Sequence, residues 1–268
     1  MWNLKKPDIS QAKSDLVDVI NRSASLTNGH IPLIENLYDH LEIGNGKVPD
    51  RVHDLVSHDI RHGLRISYDK FYEGKPLHFI HEELRKDVLE CPYCGETIPT
   101  TLDHYMPKER YKALSVCRLN LVPMCPDCNR NRDRVNDFRK TFHAYYDIFP
   151  NDVRWLKTFI SSTSAHGMKV SFYADPEKID LELADKANYT LREVKIQDYL
   201  DKAVTKFLRD LLAGRSFKDN NCLKEFLKFE SQRKDKSYGL NHWKSSLLNE
   251  LYNNETMDLR NLAIYLNP

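Results

Sequence analysis

Cys91-Pro92-Tyr93-Cys94-Gly95 is followed by Cys125-Pro126-Asp127-Cys128, with thirty residues between Cys94 and Cys125, and the architecture of the chain is read from these two pairs. Two thiolates three positions apart grip one ion only if the chain turns sharply between them. Gly95 permits that turn because a glycine adopts positive φ without a steric cost. Two such pairs make a closed tetrahedral site of four thiolates, the donor set of structural Zn²⁺. A closed site leaves no position for water, so zinc here holds the fold and does no chemistry. The paired spacing argues against disulfides, and the two remaining cysteines, Cys117 and Cys222, are expected to be buried thiols.

Between the pairs lie Thr101-Leu102-Asp103-His104-Tyr105-Met106-Pro107-Lys108 and Arg118-Leu119-Asn120-Leu121-Val122-Pro123-Met124, and the second pair runs on into Asn129-Arg130-Asn131-Arg132. These residue types suit phosphodiester hydrolysis. That reaction needs an activated water and charge stabilisation on the phosphate and the leaving oxygen. His104 titrates near neutrality and suits deprotonation of water. Asp103 is a hard oxygen ligand beside it, suited to Mg²⁺, and the amide oxygen of Asn129 offers a second protein ligand. An ion held by only two side chains keeps several waters and leaves room for phosphate oxygens. Successive strand residues point to opposite faces, so Asp103 and His104 converge only at a strand end or in a loop. Taken singly, each residue has a plainer reading. Asn129 would cap the helix after the second cysteine pair, Asn120 would be an ordinary loop residue, and an Asp-His dipeptide means little alone.

In order and inside a zinc framework, these residues resemble the HNH endonuclease family, whose ββα-metal site is often braced by a Cys₄ zinc. The resemblance covers Cys91 to Pro150. It implies His104 as general base, Asp103 and Asn129 as ligands of a catalytic Mg²⁺ or Mn²⁺, and Cys91, Cys94, Cys125 and Cys128 on structural Zn²⁺. It also implies that Asn120 holds the loop and orients His104. The family often has His where Asn129 stands; the harder amide oxygen favours Mg²⁺ or Mn²⁺ over softer ions. Asp103-His104-Tyr105-Met106-Pro107-Lys108 and His143-Ala144-Tyr145-Tyr146-Asp147 look like the bacterial branch that includes the nuclease subunit of the Septu anti-phage system. That likeness implies a DNA substrate, products with 5′-phosphate and 3′-hydroxyl ends, an ATPase partner subunit and a role in defence.

Charge is distributed to match. Met106 to Lys140 holds nine Lys/Arg and four Asp/Glu, a balance of +5, against −4 for the rest of the 268 residues. A basic island in a slightly acidic chain points to a polyanion on one face. Lys108, Arg110, Lys112, Arg130, Arg132 and Arg134 surround the site in sequence. Lys108, Arg110, Arg130 and Arg132 are the candidate contacts, to backbone phosphates rather than to base edges.

The flanks read as helical. Apolar spacing predicts helices from Asp8 or Ser10 to Ile20, over Ile31 to Leu41, Arg51 to Phe71 and Leu77 to Leu89. The histidines between His30 and His81 are irregularly spaced and read as packing or surface residues. Val153 to Ile160 and Val170 to Ala174 read as strands joined by a polar loop over Ser161 to Gly167. Leu200 to Leu212 is an apolar stripe with Gly214 placed to end a helix. Trp243 to Tyr252 is a second stripe, of core residues or partner anchors, and Leu259, Leu262 and Leu266 close the chain. The expected organisation is a helical region over 1–88, an HNH module over 89–150, and a hairpin followed by helices over 151–268. The fold class is α+β, mainly helical.

Apolar residues at 41% and charged residues at 29% exclude a disordered or fibrous chain. No run approaches the ~18 apolar residues of a membrane span. Met1 to Asp8 turns polar at once and lacks the apolar core of a secretory signal, so a cytoplasmic protein is expected. Two rival readings stand beside the enzyme: a zinc-braced nucleic-acid-binding module without catalysis, and an interaction subunit whose helical arms carry the function.

Overall fold

A computed structural model describes residues 2–164, 167–255 and Leu262. They form two compact units. One consists of Asn3–Pro92 and Thr97–Ile148; the other consists of Trp2, Tyr93–Glu96 and the described part of Phe149–Pro268. Helix dominates both and the strands are few, as an α+β, mainly helical chain requires.

The first unit begins with α1 (Ile9–Asn21), whose start is fixed by the Asp8 carboxylate accepting from Ser10 N at 2.7 Å. It packs Leu16, Val19 and Ile20 toward α2 (Ile31–Ile43), which opens with a proline in its first turn and buries Ile34, Leu37 and Leu41. The single helix expected from Arg51 to Phe71 is instead three pieces: α3 (Asp50–His53), α4 (His58–Ser67) and a 3₁₀ turn, Tyr68–Phe71. Ser57, at φ −57° and ψ 155°, takes the extended conformation of a residue before a helix and breaks the run. Of the apolar face expected there, Leu64 is buried but Leu55 and Ile66 are exposed. Helix α5 (His78–Arg85) is shorter than expected. It buries Ile80 and Leu84 on one face and leaves Leu89 outside, exposed.

Strands β1 (Thr101–His104) and β2 (Leu121–Met124) pair antiparallel, Asp103 opposite Val122 and His104 opposite Leu121. Helix α6 (Pro126–Arg132) follows and packs on β1, giving a ββα unit. A buried ion pair supports it. Arg118, just before β2, donates to Asp15 of α1 at 2.5 and 2.8 Å and to Glu83 of α5 at 3.1 Å. Both ends of that contact lie in the first unit, so the N-terminal helices and the ββα elements share one core.

In the second unit, β3 (Leu156–Ser164) and β4 (Gly167–Ala174) form an antiparallel hairpin with a bulge between Ile160 and Ser162. Pairing runs out to Ser164 and Gly167, so most of the stretch expected as a loop is strand. Asn188 of α7 (Leu181–Glu193) and Gln197 of α8 (Ile196–Leu212) close the free edge of β4. They bond the backbone of Ala174, Phe172 and Val170 at 2.8–3.0 Å. The Leu200–Leu212 stripe is core, and Gly214 follows the helix at φ +67°. Helices α9 (Asn220–Tyr238) and α10 (Trp243–Asn253) pack together, and α10 lies on β3. Trp243, Leu247, Leu248 and Leu251 are buried, so Trp243 is a core residue rather than an exposed anchor, and Tyr252 is half-buried. Leu262 is buried, whereas Leu259 and Leu266 lie outside the described residues. Among the described residues no helix is long and apolar enough to cross a membrane.

Candidate active site and metal centres

The four cysteines come together. The Sγ atoms of Cys91, Cys94, Cys125 and Cys128 all lie within 4.8 Å of one another and all four residues are buried. Each pair is held by its own backbone. Cys91 N donates to Thr97 O at 2.7 Å, Gly95 turns the chain at φ +68°, and Cys128 N donates to the Cys125 sulfur at 3.5 Å. Four buried thiols at this mutual distance have the donor chemistry of a zinc centre. Cys117 is buried as expected, and burial pushes its thiol up to about 12. Cys222 is exposed on the first turn of α9, contrary to expectation.

Asp103, His104 and Asn129 line one open cleft of about 920 Å³. Asp103 and His104 meet there because His104 is the last residue of β1, where strand alternation ends. Asn129 arrives from the middle of α6. It does not cap that helix, because Cys125 does. Its Nδ2 donates to Thr101 Oγ1 at 2.9 Å and to Leu102 O at 3.4 Å, leaving the amide oxygen without a hydrogen bond among the described residues.

His104 is buried, and its Nε2 lies 2.9 Å from the carbonyl oxygen of Ser115. A carbonyl only accepts, so the proton sits on Nε2 and Nδ1 keeps its lone pair. The edge of Tyr68 meets the ring at 4.5 Å between centroids. Burial, against the pull of the Ser115 carbonyl and helped by the charges of Lys108, Arg65 and Arg132, pushes the imidazole down to about 3. The near-neutral titration expected from sequence is therefore not kept, because burial disfavours the imidazolium, and at neutral pH the ring is uncharged.

Asp103 is buried as well. Its Oδ2 lies 2.8 Å from Nη1 of Arg132 yet takes part in no hydrogen bond. Burial raises the carboxyl to about 6, against the lowering effect of Arg132 and with a further push from Asp133. Asp103, whose Oδ2 has no hydrogen bond, and Asn129, whose amide oxygen has none among the described residues, line the same cleft and offer the hard oxygen donors that suit a divalent cation. Protons compete with such an ion for this carboxylate. Affinity for Mg²⁺ or Mn²⁺ is therefore expected to be flat above pH 6 and to fall progressively below it, as Asp103 takes a proton. Calorimetric titration of the zinc-loaded protein with Mn²⁺ between pH 5 and 8 checks this; an unchanged affinity at pH 5 would exclude Asp103 as ligand.

Arg132 was expected at a phosphate and is elsewhere. It is buried, and besides Asp103 its guanidinium donates to the carbonyls of His104 at 3.2 Å and Tyr105 at 2.8 Å. It clamps the end of β1 onto α6 and positions both cleft residues, with no surface to offer a phosphate. Arg110 and Arg130 are exposed but paired, with Asp50 at 2.6 Å and Asp127 at 2.5 Å. Lys108 lines the cleft, its ammonium 5.1 Å from the centroid of the Tyr68 ring, with no ion pair among the described residues. Neither Lys112 nor Arg134 lines the cleft.

Asn120 is fully buried behind the cleft. Its Oδ1 accepts from Met106 N at 2.7 Å, and its Nδ2 donates to Met106 O at 3.1 Å and Leu114 O at 3.2 Å. Both ends of the loop between β1 and Ser115 are thereby tied to the 3₁₀ turn, Arg118–Asn120, that leads into β2. Asn120→Ala strands the N–H and the carbonyl of Met106 in the interior, whereas Leu114 O keeps Cys117 N at 3.2 Å, and the change is expected to cost roughly 3 kcal/mol of stability. Urea unfolding reads this, and a loss below about 1 kcal/mol would show that the loop does not depend on Asn120.

The cleft also contains residues that sequence reasoning missed: Tyr68, the α5 residues His78, His81 and Arg85, and Asp133, four residues after Asn129. The signal was the helical spacing of His78, His81 and Arg85, which places all three on one face.

Residues 91–134, which hold the ββα unit, the Asp103–His104 pair and the four cysteines, match the family model described as HNH endonuclease. The chain is also similar to protein ea31 of Escherichia phage lambda, 27% identical over 199 residues, 68% of this chain. It spans 65% of that phage protein's length. No solved structure matches.

Proposed function

We propose that the chain is a metal-dependent endonuclease that hydrolyses DNA phosphodiester bonds at the Asp103–His104–Asn129 cleft. The observation that carries this reading is the convergence, in one cleft of an HNH domain, of a neutral imidazole and two hard oxygen donors.

Nδ1 of His104 takes the proton of the attacking water, while the Ser115 carbonyl fixes the ring through Nε2. Arg132 holds Asp103, and Lys108 offers its charge to the phosphate from the cleft wall. Arg110 and Arg130 reach the backbone farther out by exchanging their carboxylate partners for phosphates. Asp103 and Asn129 would hold a divalent cation, Mg²⁺ or Mn²⁺, which would supply charge stabilisation at the phosphate and the leaving oxygen. The four cysteines hold Zn²⁺ as a brace. The products carry 5′-phosphate and 3′-hydroxyl ends.

Beyond the chemistry, the protein works in the cytoplasm as a regulated effector of anti-phage defence, with an ATPase partner subunit. That part rests on the likeness of Asp103–Lys108 and His143–Asp147 to the anti-phage branch. Incubation of the purified, zinc-loaded chain with plasmid DNA and Mg²⁺ or Mn²⁺, with and without a candidate ATPase partner and ATP, is the test. Nicked or linear DNA with 5′-phosphate ends is expected. Intact DNA under every condition would return the chain to a zinc-braced binding module.

A further inference from the structure

Helix α5 lies outside the segment that matches the family model. Its Leu77 flank and its Ile80–Leu84 face are buried, and Glu83 is tied to Arg118 at 3.1 Å. The opposite face carries His78, His81 and Arg85, which line the cleft that Asp103 and His104 line. Rings of His78 and His81 stack at 5.4 Å. The Nδ1 of His78 is spent on the Phe71 carbonyl at 2.9 Å. The ring of His81 has no hydrogen bond among the described residues, and its Nδ1 is buried. A proton on that buried nitrogen would be an unpaired donor, so the favoured tautomer carries it on Nε2. His81 thus has an N–H donor without a partner on the cleft wall. Arg85 uses its Nε on the His81 carbonyl at 3.2 Å, and its guanidinium has no carboxylate partner among the described residues.

That last feature separates Arg85 from most arginines near the site. Arg65, Arg110, Arg130, Arg132 and Arg139 are all engaged by carboxylates. Among the cleft-lining residues, the cations without an acidic partner are Arg85 and Lys108. They belong to different elements, α5 and the loop after β1. Acidic groups also line the cleft: Glu109 is paired with Arg65 at 2.7 Å and Glu82 lies 3.8 Å from His78, while Glu73 and Asp133 line it with no basic partner among the described residues.

We infer that the His81–Arg85 face of α5 is a second substrate-binding wall, which grips the phosphodiester backbone of the nucleic acid beside the bond cut at His104. The proposal rests on the nuclease reading above and adds a binding surface from outside the HNH domain. Arg85 supplies charge to one phosphate and the His81 Nε2–H a directed hydrogen bond, while Lys108 holds the strand from the other side.

The experiment measures binding by fluorescence anisotropy in the zinc-loaded His104→Ala background, which prevents turnover. The probes are a labelled DNA duplex, one of its single strands and the matching RNA strand, over a range of salt. Arg85→Gln is expected to reduce the slope of log affinity against log salt by about 1, the loss of one phosphate contact. Lys86→Gln removes the same charge from an exposed neighbour that does not line the cleft, and is expected to leave the slope unchanged. In the otherwise native enzyme, His81→Gln is expected to raise KM with kcat nearly unchanged, the mark of lost ground-state binding. Zinc content and melting temperature verify folding of each variant. Equal effects of Arg85→Gln and Lys86→Gln would overturn the second wall while leaving the nuclease reading intact. A parent protein that binds none of the three probes would overturn both. The probe whose slope responds to Arg85 identifies the backbone that the wall takes.

Discussion

His104→Ala is expected to lower DNA cleavage by ~10²–10⁴-fold, the usual contribution of a general base. The substitution removes the nitrogen that accepts the water's proton and touches no cysteine, so zinc content should be unchanged. Its structural cost is limited to one hydrogen bond, to Ser115 O at 2.9 Å, and the edge contact with Tyr68. Together these are worth about 2–3 kcal/mol, against the ~5–15 kcal/mol by which a domain is usually stable. Unfolding therefore cannot account for a hundredfold loss, and a circular-dichroism melt alongside the assay separates the two effects. The pH profile adds a second readout. With its imidazole held down at about 3, His104 stays deprotonated throughout the working range, so at saturating Mg²⁺ no limb from the imidazole is expected near the ordinary histidine value of ~6.5, and an acid limb near 6 that recedes with added metal belongs to Asp103. Wild-type cleavage by purified His104→Ala would remove His104 from the mechanism.

How much of this was legible in the sequence depended on the range of the interaction that fixes each feature. Cys-x-x-Cys pairs state their own geometry, because a thiolate pair closes through four consecutive residues. The strand end at His104 followed from a local rule, since Asp and His at adjacent positions face opposite ways anywhere else. Long-range contacts were another matter. Arg132 read as a surface charge because its neighbours in sequence are polar, but Asp103, 29 positions earlier, draws it inside. The break at Ser57 was hidden because apolar residues continue on both sides of it. Hydrophobic spacing records helix faces and not the residue at which the backbone leaves the helix. The histidines of α5 look irregular beside the other histidines of the N-terminal region. Only when Ile80 and Leu84 are known to be buried does the opposite face acquire a meaning.

Loss of the zinc brace is expected to have the largest structural effect of all. One equivalent of Zn²⁺ should copurify, with Zn–S distances of about 2.3 Å by X-ray absorption. Binding energy at such sites is ~10–16 kcal/mol at neutral pH and is realised only in the folded chain. That equals or exceeds the whole stability of a typical domain. The elements at stake are small. Strands β1 and β2 have four residues each and α6 has seven, too few to stand on their own hydrogen bonds. Cys91, Cys94, Cys125 and Cys128 tie the turn before β1 to the start of α6, so losing any one frees both ends of the ββα unit. Cys125→Ser, or treatment with a strong chelator, is therefore expected to abolish the cooperative unfolding transition of these elements and to eliminate cleavage. Excess Mg²⁺ should rescue neither, because a hard cation prefers oxygen to thiolate donors. Cys222→Ser changes an exposed thiol outside the cluster and should leave zinc content, melting and cleavage as they were. Purified protein with less than half an equivalent of zinc and an intact ββα unit would show that the fold stands without the metal.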